Sequence, residues 1–236
     1  MIFFGLFLII IGLVMLFNRR TQKQKLSCVK LARSATASEL TQMAHEIAAE
    51  IGGGDWRDYV KLWGEVVSDQ PLYSEHKHEP CVHYESKVIQ EYKESNKDGK
   101  QQRKSKIVSD TTRSTTFWLS DRTGKIKVDL AGADIETVEI MNDFRPEQSG
   151  KILGHRYQER ILPVGQEVLV VGAVSDWTGD VVLGKPVQSN HRYLISLKTE
   201  ERLAVNLSRN AQNMTYGIAG CLIVGTVLCI IDLLFI

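Results

Sequence analysis

Apolar residues crowd the two ends of the chain, and the middle alternates. Residues 2–17, IFFGLFLIIIGLVMLF, carry no charge. Residues 216–236, YGIAGCLIVGTVLCIIDLLFI, carry one, Asp232. A bilayer core about 30 Å thick takes about 20 helical residues. The second run meets that length, and Asn18 with snorkelling Arg19 and Arg20 completes the first. No basic n-region precedes the first run and no small-x-small site follows it, so an uncleaved anchor is expected. Asp232 is read as an interfacial group near the end of its span.

Between the ends the periodicity changes twice. Residues 36–51 place Leu40, Met43, Ala44, Ile47, Ala48 and Ile51 on one helical face, with capping-box spacing from Thr36 to Glu39. From Tyr59 to Ser196 the pattern is β. Val60, Leu62, Gly64 and Val66 share one face, and a second strand runs from Val82 to Val88. Phe117–Leu119 and Ile126–Leu130 flank Asp121-Arg122-Thr123-Gly124 as a hairpin, with Gly124 supplying the positive φ of the turn. A strand at 135–141, a β-branched run at 167–174 and a return at 181–183 follow. Residues 93–106, KESNKDGKQQRKSK, break the pattern and read as a solvated basic loop. After Ser196 an amphipathic helix runs straight into the second span, while residues 18–35 take a more irregular path.

The expected fold class is an α+β membrane protein: a compact β-sandwich or partly open β-barrel flanked by two transmembrane helices. The organisation is 1–18 as first span, 19–54 as basic linker and amphipathic helix, 55–196 as β-domain, 197–213 as stalk helix and 214–236 as second span.

Charge adds little. The formal net charge is +1, which gives no global case for a nucleic-acid partner. The basic insert lacks stacking aromatics. Arg19, Arg20, Lys23, Lys25, Lys30 and Arg33 follow the first span, and Lys198, Arg202 and Arg209 precede the second. By the positive-inside rule the protein is expected to be two-pass with its middle domain cytosolic. Gly5 and Gly12, and Gly217, Gly220 and Gly225, offer small-residue faces for helix packing. Expected partners are the lipid bilayer and either a second copy of the chain or another membrane or soluble protein.

The densest chemistry is Glu75-His76-Lys77-His78-Glu79-Pro80-Cys81-Val82-His83. As a metal site it offers His76 and His78 with one parity and Cys81 and His83 with the other, on either side of Pro80. As a catalytic site it offers Cys81 beside histidine. As structure it is a loop entering a strand, and that reading is preferred. No G-x-S-x-G, S-x-x-K or H-E-x-x-H motif occurs. No catalytic residue, cofactor or metal is assigned.

Pro71-Leu72 followed by Glu79-Pro80-Cys81-Val82-His83-Tyr84 resembles the P-L…x-P-C-V-x-Y element of the GIDE domain. Gly154-His155-Arg156-Tyr157-Gln158-Glu159-Arg160-Ile161-Leu162-Pro163-Val164-Gly165, with Val168 to Gly172 after it, resembles that family's second element. The similarity covers roughly residues 55–236. It implies structural roles for Pro80, Cys81, Val82, Tyr84, Arg156, Glu159, Gly165 and Gly172. Arg156 and Glu159 are expected to form an ion pair, Gly165 a turn and Gly172 a bulge. In eukaryotes the family includes RING-type E3 ubiquitin ligases of organelle outer membranes, so ubiquitin transfer and organelle organisation come with the resemblance. The eight Cys/His ligands of a RING are not in this sequence. The resemblance therefore implies a RING-less, prokaryotic-looking member, for which a non-enzymatic role is preferred and an enzymatic one stays open. It is expected to act as an interaction, scaffold or sensing module. In the alternative, an E3-ligase-related role, a partner supplies the RING.

Overall fold

The computed structural model describes residues 2–51, 56–95, 100–176 and 180–234. The triple glycine at 52–54 and Asp176's turn partners at 177–179 lie outside these.

Five strands close a small barrel. β2 (Arg57–Val67) pairs with β6 (Phe117–Ser120), and β6 with β7 (Lys125–Val128). β7 then meets β12 (Val182–Gly184) in parallel, β12 pairs with β11 (Glu167–Ser175), and β11 returns to β2. The ring is complete, so this barrel is closed rather than partly open. A closed five-stranded Greek-key ring is the economical way to leave no edge. The alternation of β2 explains the interior: Val60, Leu62 and Val66 point inward and are fully buried with Phe117, Leu119, Ile126 and Val170. Gly64 shares that inward face because a Cβ there would lie 2.6 Å from the Ser120 carbonyl oxygen.

β11 reads as a continuous apolar run because both of its faces are covered. Val168, Val170 and Val174 fill the barrel, while Leu169 and Val171 face outward into a second cluster. That outer wall is extended by β13 (Leu194–Ser196) and β8 (Asp134–Ile135). The short β1 (Arg33–Ser34) joins β2 in parallel.

Helix α2 (Ala37–Ile51) plugs one end of the barrel with Ala37 and Leu40. Thr36 Oγ1 accepts the Glu39 amide at 3.3 Å, the first half of the expected capping box. The second half is absent, because the Glu39 carboxylate turns to Arg33. The barrel completes the cap instead: Asp121 accepts the Ala37 amide at 2.8 Å and Thr123 accepts that of Ser38. The same Asp121 takes the Thr123 and Gly124 amides at 2.7 and 2.9 Å. An Asx turn thus replaces the glycine turn predicted at Gly124, which does not adopt positive φ. Only the first half of the apolar face of α2 is covered, and Ala48 remains exposed.

A second sheet shares no strand with the barrel. Its order is β9 (Val138–Ser149), β10 (Ile152–Pro163), β4 (Pro80–Ser95) and then, along the far side of β4, the short β3 (Leu72–Tyr73) and the long β5 (Gln101–Ser114). The predicted basic loop is therefore mostly a hairpin: Lys93 opposes Arg103 and Tyr92 opposes Lys104.

Two long helices finish the chain, α1 (Ile2–Leu31) and α3 (Glu200–Leu234). Both are long and apolar enough to cross a membrane, and they flank the β-domain. At about 1.5 Å per residue they measure about 45 and 52 Å. The path from 18 to 31 is thus helical rather than irregular. The side chain of Asp232 lies outside the described residues. The two helices run antiparallel in one register. Gly225 backs onto the Gly5 carbonyl and Ile9, Gly12 onto Cys221 and Leu222, and Gly217 onto Met15. The small residues thus serve packing within the chain, except Gly220, which has open space around it.

Candidate functional site

The two sequence elements singled out above are neighbours in the second sheet. Antiparallel pairing of β4 with β10 sets Tyr84 opposite Ile161, Ser86 opposite Glu159 and Cys81 opposite Pro163. Their root is an apolar cluster of Cys81, Tyr84 and Ile161 with Leu72 and Ile140 packed on it, while Val82 turns into the barrel core. Pro80 is exposed, and its carbonyl accepts the Val164 amide.

Glu159 is fully buried, yet its partner is not Arg156. Residues three apart on a strand point to opposite faces. Instead the two carboxylate oxygens accept the successive amides of His76 and Lys77, each at 3.0 Å. The loop forms an anion nest around an internal carboxylate. Buried Ser74 braces the loop: its amide donates to the Glu79 carbonyl at 3.0 Å, and its hydroxyl accepts the Glu79 amide at 3.1 Å. His78 adopts φ of 55°.

The four metal candidates do not form one cluster: no group of three or more His, Cys, Asp or Glu that could hold a metal ion occurs among the described residues. His76 meets the edge of Tyr157, with ring centroids 5.2 Å apart. His78 is exposed. Burial, assisted by the charge of Glu159, pushes the Cys81 thiol up to about 11. A thiol held that high is a poor nucleophile at neutral pH. His83 is buried, with Nδ1 2.8 Å from Ser114 Oγ. Burial lowers its pKa, and nearby Glu85 offsets this only in part.

Arg156 belongs to the opposite face. Its Nε donates to Glu91 at 3.2 Å, and Arg103 donates to the other oxygen of the same carboxylate at 2.6 Å. Both guanidinium groups lie over Phe144, 5.5 and 5.7 Å from the ring centroid. Burial works against the Glu91 charge, but the hydrogen bonds and charges of Arg103 and Arg156 outweigh it and hold its pKa below the usual range.

Gly165 makes the expected turn with φ of 82°, and its amide reaches the Val66 carbonyl. Gly172 is not a bulge, for β11 keeps its register with β2 throughout. It is a close approach: a Cβ there would sit 2.8 Å from the Gly184 carbonyl and 2.9 Å from the Tyr193 ring.

The sequence reading missed the joint between barrel and helices. On β2, Tyr59 and Trp63 alternate outward with Lys61. The tops of both helices pack there: Val29, Ala32, Leu207 and Leu203 against Leu169, Val171 and Leu194. Lys61 is buried at the joint. Its Nζ donates to the Val29 carbonyl near the end of α1 at 3.1 Å and to Glu200 in the first turn of α3 at 2.5 Å. One ammonium thus ties the open end of one helix to the start of the other. A lysine between inward Val60 and Leu62 was the available signal. Beside it opens a cleft of about 830 Å³, bordered by Trp63, Glu65, Glu167 and Glu201.

Residues 88–229 match the GIDE family, described as E3 ubiquitin ligase. A curated relative, the E3 ubiquitin-protein ligase SPL1 of Arabidopsis thaliana, is 26% identical over 185 residues, which cover 72% of this chain and 54% of that protein. The chain therefore spans about half the length of this curated relative. No solved structure matches. With both sequence elements paired in one sheet and most of the chain inside the matched region, this protein is a member of the GIDE family.

Proposed function

We propose that the chain is a membrane-anchored interaction module without catalytic chemistry of its own, holding its β-domain at a set distance from the bilayer and at an angle fixed to its two helices. The observation that supports this most is the continuity of α1 and α3 from their apolar ends to the outer wall of the barrel. A tether would not need a shared register or a buried lysine at its top. The polar halves of the helices, about 14 residues each, set a stand-off of about 20 Å. The test is proximity labelling from the β-domain in native membranes. It is run on the wild-type chain and on a variant with flexible Gly-Ser inserts in both helices. The module reading predicts a defined neighbour set that the inserts scatter; an unchanged set would refute it.

A second reading comes from the family match and the named activity of the relative. Here the β-domain is the docking part of a ubiquitin-transfer assembly whose RING is supplied by another chain. Reconstitution with activating and conjugating enzymes, ubiquitin and ATP separates the two. Conjugates that form only when a RING protein is added, and are stimulated by this chain, favour the second reading.

A further inference from the structure

We propose that the outer edge of β5 accepts an extended acidic segment of a partner protein as an added strand. This rests on the module reading and names the surface and the partner's chemistry.

Among the described residues β5 pairs along one side only, with β4. Alternate residues from Gln101 to Ser114 therefore aim N–H and C=O groups away from the sheet, with no neighbouring strand among the described residues. Such an edge is a template for one more strand. The opposite edge of the sheet, β9, is interrupted by Pro146, which has no amide to donate. β5 has no proline, and nearly all of its residues are exposed.

The middle of the edge is apolar. Ile107 and Val108 are 54% and 48% exposed. They sit at a bulge where Ile89 opposes Ile107 and Val88 opposes Ser109, leaving Val108 unmatched. Two large apolar side chains on an otherwise polar strand form a small patch that an incoming strand would cover.

Charge selects the occupant. β5 carries Arg103, Lys104, Lys106 and Arg113 against Asp110. Arg103 and Lys104 are engaged by Glu91 and Glu94, whereas Lys106 and Arg113 make no ion pair among the described residues. Two copies paired through this edge would bring together two strands that each carry net positive charge, which disfavours self-association. An acidic strand would meet Lys106 and Arg113 on either side of the Ile107–Val108 step.

The experiment uses the full chain in lipid nanodiscs. The probes are a peptide of about a dozen residues alternating Val and Glu, and its Val/Lys counterpart. The Val/Glu peptide is expected to bind and to slow amide exchange at alternate residues of 101–114, with β9 unchanged. Lys106→Glu with Arg113→Glu, two exposed positions, is expected to lose at least tenfold in affinity for the Val/Glu peptide and to bind the Val/Lys peptide instead. Absence of protection, equal binding by the reversed variant, protection on β9, or a β5–β5 crosslinked dimer would each overturn the assignment. So would loss of the peptide's effect once anionic vesicles occupy the same residues. If native neighbours survive the charge reversal, the edge fails while the module reading stands. If the wild-type chain has no defined neighbours, the module reading itself fails.

Discussion

Glu159 and His76 are 83 residues apart in sequence and 3.0 Å apart in space, carboxylate oxygen to backbone amide. With Lys77 as the second donor, the pair fixes the entry to β4 from across the sheet. Glu159→Ala leaves two amides without an acceptor at a buried position. Hydrogen bonds to a charged group contribute about 1.5–3 kcal/mol, so a loss of about 2–3 kcal/mol is expected. Urea unfolding in detergent measures it, and limited proteolysis between Ser74 and Glu79 should rise in parallel. A change under about 0.5 kcal/mol would show that the loop holds itself.

Lys61 and Glu200 should be energetically coupled. Lys61→Met keeps the stem and removes the charge, leaving the Val29 carbonyl without its donor. Because Glu200 is 40% exposed and can rehydrate, the expected cost is about 1–2 kcal/mol, below that of a fully buried pair. A double-mutant cycle with Glu200→Gln should return a coupling of about 0.5–2 kcal/mol. Additivity would mean the two helix tops are held by the apolar cluster alone.

The helix pair makes a paired forecast. Gly225→Leu places a side chain where a Cβ already lies 3.0 Å from the Gly5 carbonyl and Ile9. Gly220→Leu meets nothing within 4 Å. The first should destabilise the chain by about 1–3 kcal/mol, as overpacking does, and the second should be near neutral. Thermal melts in nanodiscs compare them, and equal effects would contradict the observed register.

Stability should fall with acid in two stages. The pKa of His83 is lowered in the folded chain, so below its ordinary value of 6.5 the unfolded chain binds more protons and stability declines. Glu91 and Asp121 are held below their ordinary values of 4.5 and 3.8. Their contribution is full above those values and is lost as pH drops through the depressed ones. Unfolding midpoints between pH 8 and 3 trace both stages. His83→Gln should remove the upper stage and spare the lower.

The barrel was legible in the sequence because one face of each strand is dry. Val60, Leu62, Gly64 and Val66 announce their side of β2 by alternation alone. The β4–β5 hairpin was not legible. Its outer half has solvent on both faces, so no period of two survives in KESNKDGKQQRKSK. Arg156 and Glu159 misled for a related reason. A spacing of three looks like proximity, but on an extended strand it separates side chains across the sheet. The nest around Glu159 depends on a contact 83 residues away, and no local pattern encodes that.

The shared register of α1 and α3 has a mechanical corollary. Apolar helices tilt when the bilayer is thinner than their hydrophobic length. Two helices locked side by side and seated on one wall must lean together, and the barrel leans with them. With both helices in a bilayer, as proposed above, membrane thickness would be converted into an angle at the far end of a lever about 20 Å long. The free edge of β5 would then sweep toward or away from the lipid surface as the bilayer beneath it thins or thickens.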